Sequence, residues 1–414
     1  MTASAVLEGG PGARVERAFP CLDGMRAIAA GAVVLTHVGF WTGNYTPDLT
    51  GHLLNRLGVG VAIFFVLSGF LLSRPVFLAA VERRPAPRAA AYLWRRALRI
   101  LPAYWLTVAA ALLLLPANRG ADARTWLEHL TLVQLYTGRF GDGLSHTWSL
   151  CTEVAFYAFL PVLAGGLVRL SARDRWCPGR LLAALAVLTL LSLLAVAWGP
   201  ALVGGTVELW LPAHLGWFAA GMALAVLSVS PAEWRPVQVA TVLGADLWTC
   251  WAGAGVLFLV AANPLTGPVL VLPSTPAAAV LRTVLFLGVG ALLVAPLVLG
   301  DQRAGRTRRL LASRPVVYLG EISYGVFLFH VLVLAGAYAL FGWQQFTGSL
   351  VLVALATWVG AALVAAVVYR LVERPLRRWR LLVPERRPAD GAPPAPGAGS
   401  SAAATAARAT AADA

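Results

Sequence analysis

Long apolar runs and short polar connections alternate along this chain. Runs near 26–42, 57–79, 98–116, 147–168, 181–198, 208–229, 238–261, 280–299, 316–341 and 348–371 each suffice to cross about 30 Å of hydrocarbon as a helix. Helices are the expected form, because a bilayer offers no water to backbone N–H and C=O groups and a helix satisfies them within its own segment. The pattern therefore predicts an all-α, polytopic membrane protein of about ten transmembrane helices. A Gly/Ala/Arg-containing head without an apolar core precedes the first run, and no small-residue cleavage site follows it, so that run reads as an uncleaved anchor. Three regions follow: a head over 1–20, a transmembrane domain over 21–380, and an Ala/Pro-rich tail over 381–414 whose composition predicts disorder.

Composition narrows the class. With 59% hydrophobic and 13% charged residues, the chain departs from any ordinary soluble globule. All 33 basic residues are arginine, and their placement predicts orientation. With both termini cytoplasmic, only Arg56, Arg119, Arg124, Arg139 and Arg282 fall on the outer side. The expected location is the plasma (inner) membrane, crossed many times. The net charge of +14 then belongs mainly to the cytoplasmic face, where it attracts anionic headgroups and polyanionic cytosolic ligands. Nucleic acid is a poor partner for it, since the arginines flank apolar helices instead of forming a basic domain with stacking aromatics. The 4 cysteines form no CxxC pair and no disulfide framework.

Candidate chemistry starts inside the first run, LDGMRAIAAGAVVLTHVGFW, where Arg26 and His37 are eleven residues apart. At 100° per residue the two side chains lie within about 20° of one helix face, about 16 Å apart along the axis. Charged and titratable groups in hydrocarbon cost about 2.5–3.5 kcal/mol each on insertion scales, so they usually face a protein interior and mark a functional path. Counting from the helix ends puts Glu153, His214 and His330 in the same outer-half layer as His37. A carboxylate bonded to one imidazole nitrogen fixes the tautomer and raises the basicity of the other, which suits proton abstraction from a hydroxyl. Glu153 is the expected orienter of His37, the alternative being that Glu153 and the histidines are hydrogen-bonded packing residues. Ser68, Ser323 and Tyr324 read as helix-contact residues, Trp148 and Tyr136 as interfacial aromatics, and Asp246 as an intramembrane carboxylate with a partner on another helix. The histidines and glutamate show no ligand spacing on one helix, so no metal is expected. The long outer connection, 117–146, is the expected place for an acceptor-binding element.

Seven fragments in order carry a family likeness: LDGMRAIAAGAVVLTH (22–37), GVAIFFVLSGFLLSR (60–74), YLWRRALRILPAYW (92–105), TWSLCTEVAFYAFLP (147–161), LPAHLGWFAAGMALA (211–225), YLGEISYGVFLFH (318–330) and VERP (372–375). Together they resemble the acyltransferase-3 integral membrane acyltransferases. Two positions depart from that likeness, Ala62 where many relatives are acidic and Glu321 where others are basic or polar. The resemblance implies transfer of an acyl group, acetyl in the first instance, from acyl-CoA to a hydroxyl, with no tightly bound cofactor. It also implies the stand-alone form without a fused esterase-like domain. On that likeness His37 is the base or acyl carrier, supported by His330, His214 and Tyr324. Arg95, Arg96 and Arg99 cluster at one end of the third helix, and with Arg26 they suit the phosphates of coenzyme A, the Arg96/Arg99 pair being favoured by the family. The acceptor would be a glycan, a glycolipid or a secondary metabolite such as a macrolide. A transporter or flippase using the same polar layer as a proton relay is the competing class, but matched repeats and Gly/Pro-broken helices are missing from the sequence.

Overall fold

The computed structural model describes residues 19–171, 176–269, 274–302 and 304–384. The expected head and tail lie almost wholly outside the described residues. Among the described residues the regular structure is helical throughout, with no strand, and we number the main helices α1 (Cys21–Trp41), α2 (Leu49–Arg56), α3 (Val59–Val81), α4 (Ala89–Leu114), α5 (Ala123–Leu130), α6 (Gln134–Thr137), α7 (Trp148–Ser171), α8 (Pro178–Leu202), α9 (Leu211–Val229), α10 (Arg235–Ala245), α11 (Leu247–Ala261), α12 (Pro276–Val298), α13 (Gly305–Leu311), α14 (Arg314–Phe341) and α15 (Leu350–Val368).

At the centre α1, α3, α9 and α14 pack on one another, while α8 and α15 leave most of their apolar surface outward. In lipid there is little hydrophobic gain from helix contact, so close backbone approach has to supply dispersion energy, and small residues permit it. The α3–α9 contact shows this. A methyl group on Gly69 would overlap the Phe218 carbonyl oxygen, and one on Gly221 would overlap that of Val66. The two backbones therefore touch directly, and any larger residue at either site would force α3 and α9 apart.

The seventh run is not a straight span. It breaks at Asp246 into α10 and α11, which meet at 86°. Neither piece alone, at about 16 and 22 Å, reaches across the hydrocarbon. Asp246 is correspondingly not a membrane-buried acid with a partner on another helix: its carboxylate caps α11, accepting from the backbone N–H of Trp248 and Thr249 at 3.1 and 3.2 Å and from the Thr249 hydroxyl at 2.6 Å. Arg308 of α13 completes the break from the other side. Its Nη2 donates to the carbonyls of Gly244 at 2.9 Å, Pro296 at 3.1 Å and Ala245 at 3.3 Å, some of which the α10 terminus leaves without an intrahelical donor.

Contacts at the two ends of this broken element decide whether it crosses. Just before α10, the Ser230 hydroxyl accepts from the Trp176 indole at 3.0 Å, in the connection that follows α7. At the end of α11 and just past it, Arg56 at the end of α2 donates to the carbonyls of Ala261 and Gly267, and Asn55 donates to Val269. The pair thus joins opposite faces of the bundle, which gives ten crossings among the described residues. Cys21, at the start of α1, donates to the carbonyls of Gln302 and Arg308, and Trp94, at the start of α4, donates to Trp379. Both ends of the described chain therefore share one face, the arginine-rich one.

Candidate active site

Three imidazoles meet where α1, α14 and the entry to α7 converge. The His37 and His330 rings lie 4.9 Å apart, His146 and His330 4.8 Å, and His37 and His146 6.1 Å. Backbone carbonyls assign the tautomers, because a carbonyl only accepts and a neutral imidazole carries one N–H. His330 donates from Nδ1 to Phe327 at 2.6 Å, which leaves its Nε2 as an acceptor. His37 Nδ1 lies 2.8 Å from the Val33 carbonyl and 3.2 Å from that His330 Nε2, so its N–H serves both. The consequence is a lone pair on His37 Nε2. His146 donates from Nε2 to Leu328 at 3.1 Å, and its Nδ1 is shielded and has no hydrogen-bond partner. Among the described residues no group of three or more His, Cys, Asp or Glu is disposed to hold a metal ion.

Below this cluster, toward the arginine-rich face, opens a cleft with about 950 Å³ of empty space, its open mouth included. Arg26, Arg96, Arg99, Glu153, Tyr157 and Tyr324 are among its lining residues. Arg26 is paired with Asp23 at 2.6 Å, and Arg96 lies 6.0 Å from the centre of the Tyr157 ring. The upper end of the cleft is aromatic: Phe64 and Phe327 meet edge to face at 6.3 Å, and the other side of Phe327 touches His146 at 5.2 Å and His330 at 6.0 Å. Two rings thus stand between the arginines and the imidazoles.

Several expectations change. Glu153 is not the orienter of His37. Ser68 and Tyr157 both donate to its Oε1, the latter at 2.5 Å, and it lines the arginine cleft instead. Depth along a helix puts Glu153 beside His37, but the face of α7 that carries Glu153 turns toward α3. The orienting partner is His330. His214 does not join the imidazoles either: its ring packs among Phe65, Trp148 and Trp217 at 4.7–5.8 Å, with no hydrogen-bond partner on either nitrogen. Trp148 is accordingly a packing residue for His214. Arg95 does not line this cleft; it lines a second cavity, whose wall Arg96 shares. Tyr324 reaches the cleft while donating to the Ile100 carbonyl at 2.9 Å, and Glu321 accepts from Tyr369 at 2.8 Å.

His146 is the residue that sequence reasoning passed over. It sits at the last position of the connection 117–146, beside the TWSLCTEVAFYAFLP fragment, in the turn Ser145–Thr147 that leads into α7. That connection is folded against the bundle by α5 and α6: Tyr104 donates to the His129 carbonyl at 2.6 Å, and Gln134 donates to Tyr104 at 3.0 Å.

The family model described as an acyltransferase domain matches residues 19–370. The chain belongs to the acyltransferase-3 family. It is 25% identical over 406 residues to Acyltransferase MdmB of Streptomyces mycarofaciens, covering 91% of this chain and 95% of that protein. Shorter matches include Nodulation protein 10 of Rhizobium leguminosarum bv. viciae, 28% identical over 34% of this chain and 43% of the relative. Another is a protein of Staphylococcus aureus (strain COL) provisionally named as an O-acetyltransferase, 29% identical over 36% of this chain and 25% of the relative. No solved structure matches. Family, relatives and spans together make this a multi-pass membrane O-acyltransferase.

Proposed function

We propose that the protein lies in the plasma membrane with the arginine-rich face in the cytoplasm, and moves an acyl group, acetyl in the first instance, from acyl-CoA to a hydroxyl. The acceptor is a glycan, a glycolipid or a secondary metabolite such as a macrolide. His37 carries the reading: its Nδ1–H is held by Val33 and His330, so Nε2 offers a lone pair, and the cleft that begins among arginines ends at Phe64 and Phe327, the latter beside His146 and His330. Guanidiniums suit the phosphates of coenzyme A, and the roughly 16 Å from Arg26 to His37 along α1 is within reach of an extended pantetheine arm.

Two routes use that lone pair. In the direct one, Nε2 takes the acceptor's hydroxyl proton as the oxygen bonds the thioester carbon; the C–S bond breaks and the proton leaves with the thiol. In the other, Nε2 itself bonds the carbon and expels the thiolate; the acceptor oxygen then bonds that carbon as the C–N bond breaks, and the hydroxyl proton passes to the thiolate. Mass spectrometry of envelope material and metabolites from a deletion strain identifies the missing acyl mark. Wild type restores it, while His37→Gln and His37→Ala, at normal protein level, lower transfer by about 10²- to 10⁴-fold. Full restoration by His37→Gln would remove His37 from the chemistry.

A further inference from the structure

A second cavity opens beside the cleft, between the ends of α3, α4 and α7 on the arginine-rich face, with about 850 Å³ of empty space including its mouth. Leu71, Leu72 and Arg96 line both, so the two cavities share a wall and a guanidinium. Their chemistry differs. The cleft runs toward the imidazoles, whereas the second cavity is an apolar slot of Pro75, Pro87, Pro161 and Tyr92 fronted by Arg95 and Arg96. Rigid, flat side chains suit a planar heteroaromatic ring, and two guanidiniums on one helix suit a pyrophosphate. Tyr92 lines the slot, its hydroxyl shielded from solvent. At the mouth, the exposed Arg88 lies next to the lining residues Pro87 and Ala89, adding to the positive potential.

We propose that this slot is the nucleotide subsite of the donor, taking the adenosine and its phosphates while the pantetheine arm runs from Arg96 up the first cleft. The assignment rests on acyl-CoA being the donor. An acyl-CoA has an anionic nucleotide half and a neutral amide arm, and the paired cavities repeat that division on either side of a shared arginine. Remote binding energy of this kind holds the reacting thioester in place without touching it.

Gly165 of α7 provides the decisive variant. It lines the slot, and no atom lies within 4 Å of where its Cβ would stand, so a leucine there enters open space. The measurement is calorimetric binding of CoA and of adenosine 3′,5′-bisphosphate to the full-length protein in lipid nanodiscs. Wild type should bind both. Gly165→Leu should weaken both by about 10-fold or more, while Tyr92→Phe, which keeps the ring and removes only a shielded hydroxyl, should change neither. If CoA binds but the bisphosphate does not, or if Gly165→Leu keeps the wild-type Kd for CoA, the subsite is wrong and the donor reading stands. If CoA does not bind wild type at all, the donor reading falls and takes the subsite with it.

Discussion

At the scale of single residues, the arrangement resolves into one imidazole holding another. His330 spends its Nδ1–H on its own helix at Phe327, and its Nε2 then fixes which nitrogen of His37 carries the proton. In the proposed chemistry His330 is thus a positioning residue for His37. His330→Ala should lower kcat by about 10- to 100-fold while leaving the KM for the donor near wild type, and His330→Gln, whose side-chain oxygen can accept from His37, should recover part of the loss. Equal loss in both variants, or a change confined to KM, would reduce His330 to packing. The sequence exposed the chemistry of this cluster only in part. Arg26 and His37 share a helix, so their common face follows from the 100° turn alone. Glu153 lies on another helix, and depth along that helix says nothing of the direction its side chain takes. His146 carried the weakest signal, being the last residue of a connection and not a polar interruption of an apolar run.

At the scale of helices, the least regular element is the one the apolar pattern rendered as a single run. Hydropathy sums composition along 238–261 and is blind to the break, because Asp246 is one polar residue among many apolar ones. What makes the break tolerable is that both cut ends find partners: Asp246 caps α11, and Arg308 satisfies carbonyls at the end of α10. The same arginine that counts toward topology in the sequence is therefore buried and structural. Arg308→Ala should destabilise the protein by about 1–3 kcal/mol, the cost of leaving buried acceptors without a donor, and Asp246→Ala by less, since its site is exposed. Thermal unfolding in detergent should show the pair to be non-additive, since both hold one bend. Strict additivity would mean that the two ends of the break are held independently.

At the scale of the molecule, ten crossings and the arginine distribution make one testable statement about sidedness. The number of crossings was legible because each run is long and carries few charges among many apolar residues; the handling of the outer arginines was not. Arg56, one of the few expected outside, is shielded and bound to carbonyls at the end of α11 and just past it, and Arg124 is paired with Glu128 at 2.7 Å. These two are thus committed to local structure, and the arginines of the other face carry the orienting bias. Since the broken pair α10–α11 joins the two faces, residues 88 and 308 belong to one side and residues 130, 203 and 265 to the other. Reporter fusions active only in the cytoplasm should therefore work at 88 and 308, and reporters active only outside it at 130, 203 and 265. Reversal at 265 and 308 alone would make α10–α11 a re-entrant hairpin and contradict the contacts between Arg56 and the segment after α11. Reversal at every site would place the arginine cleft outside, where a cytosolic thioester has no access, and acyl-CoA would have to be given up as the donor.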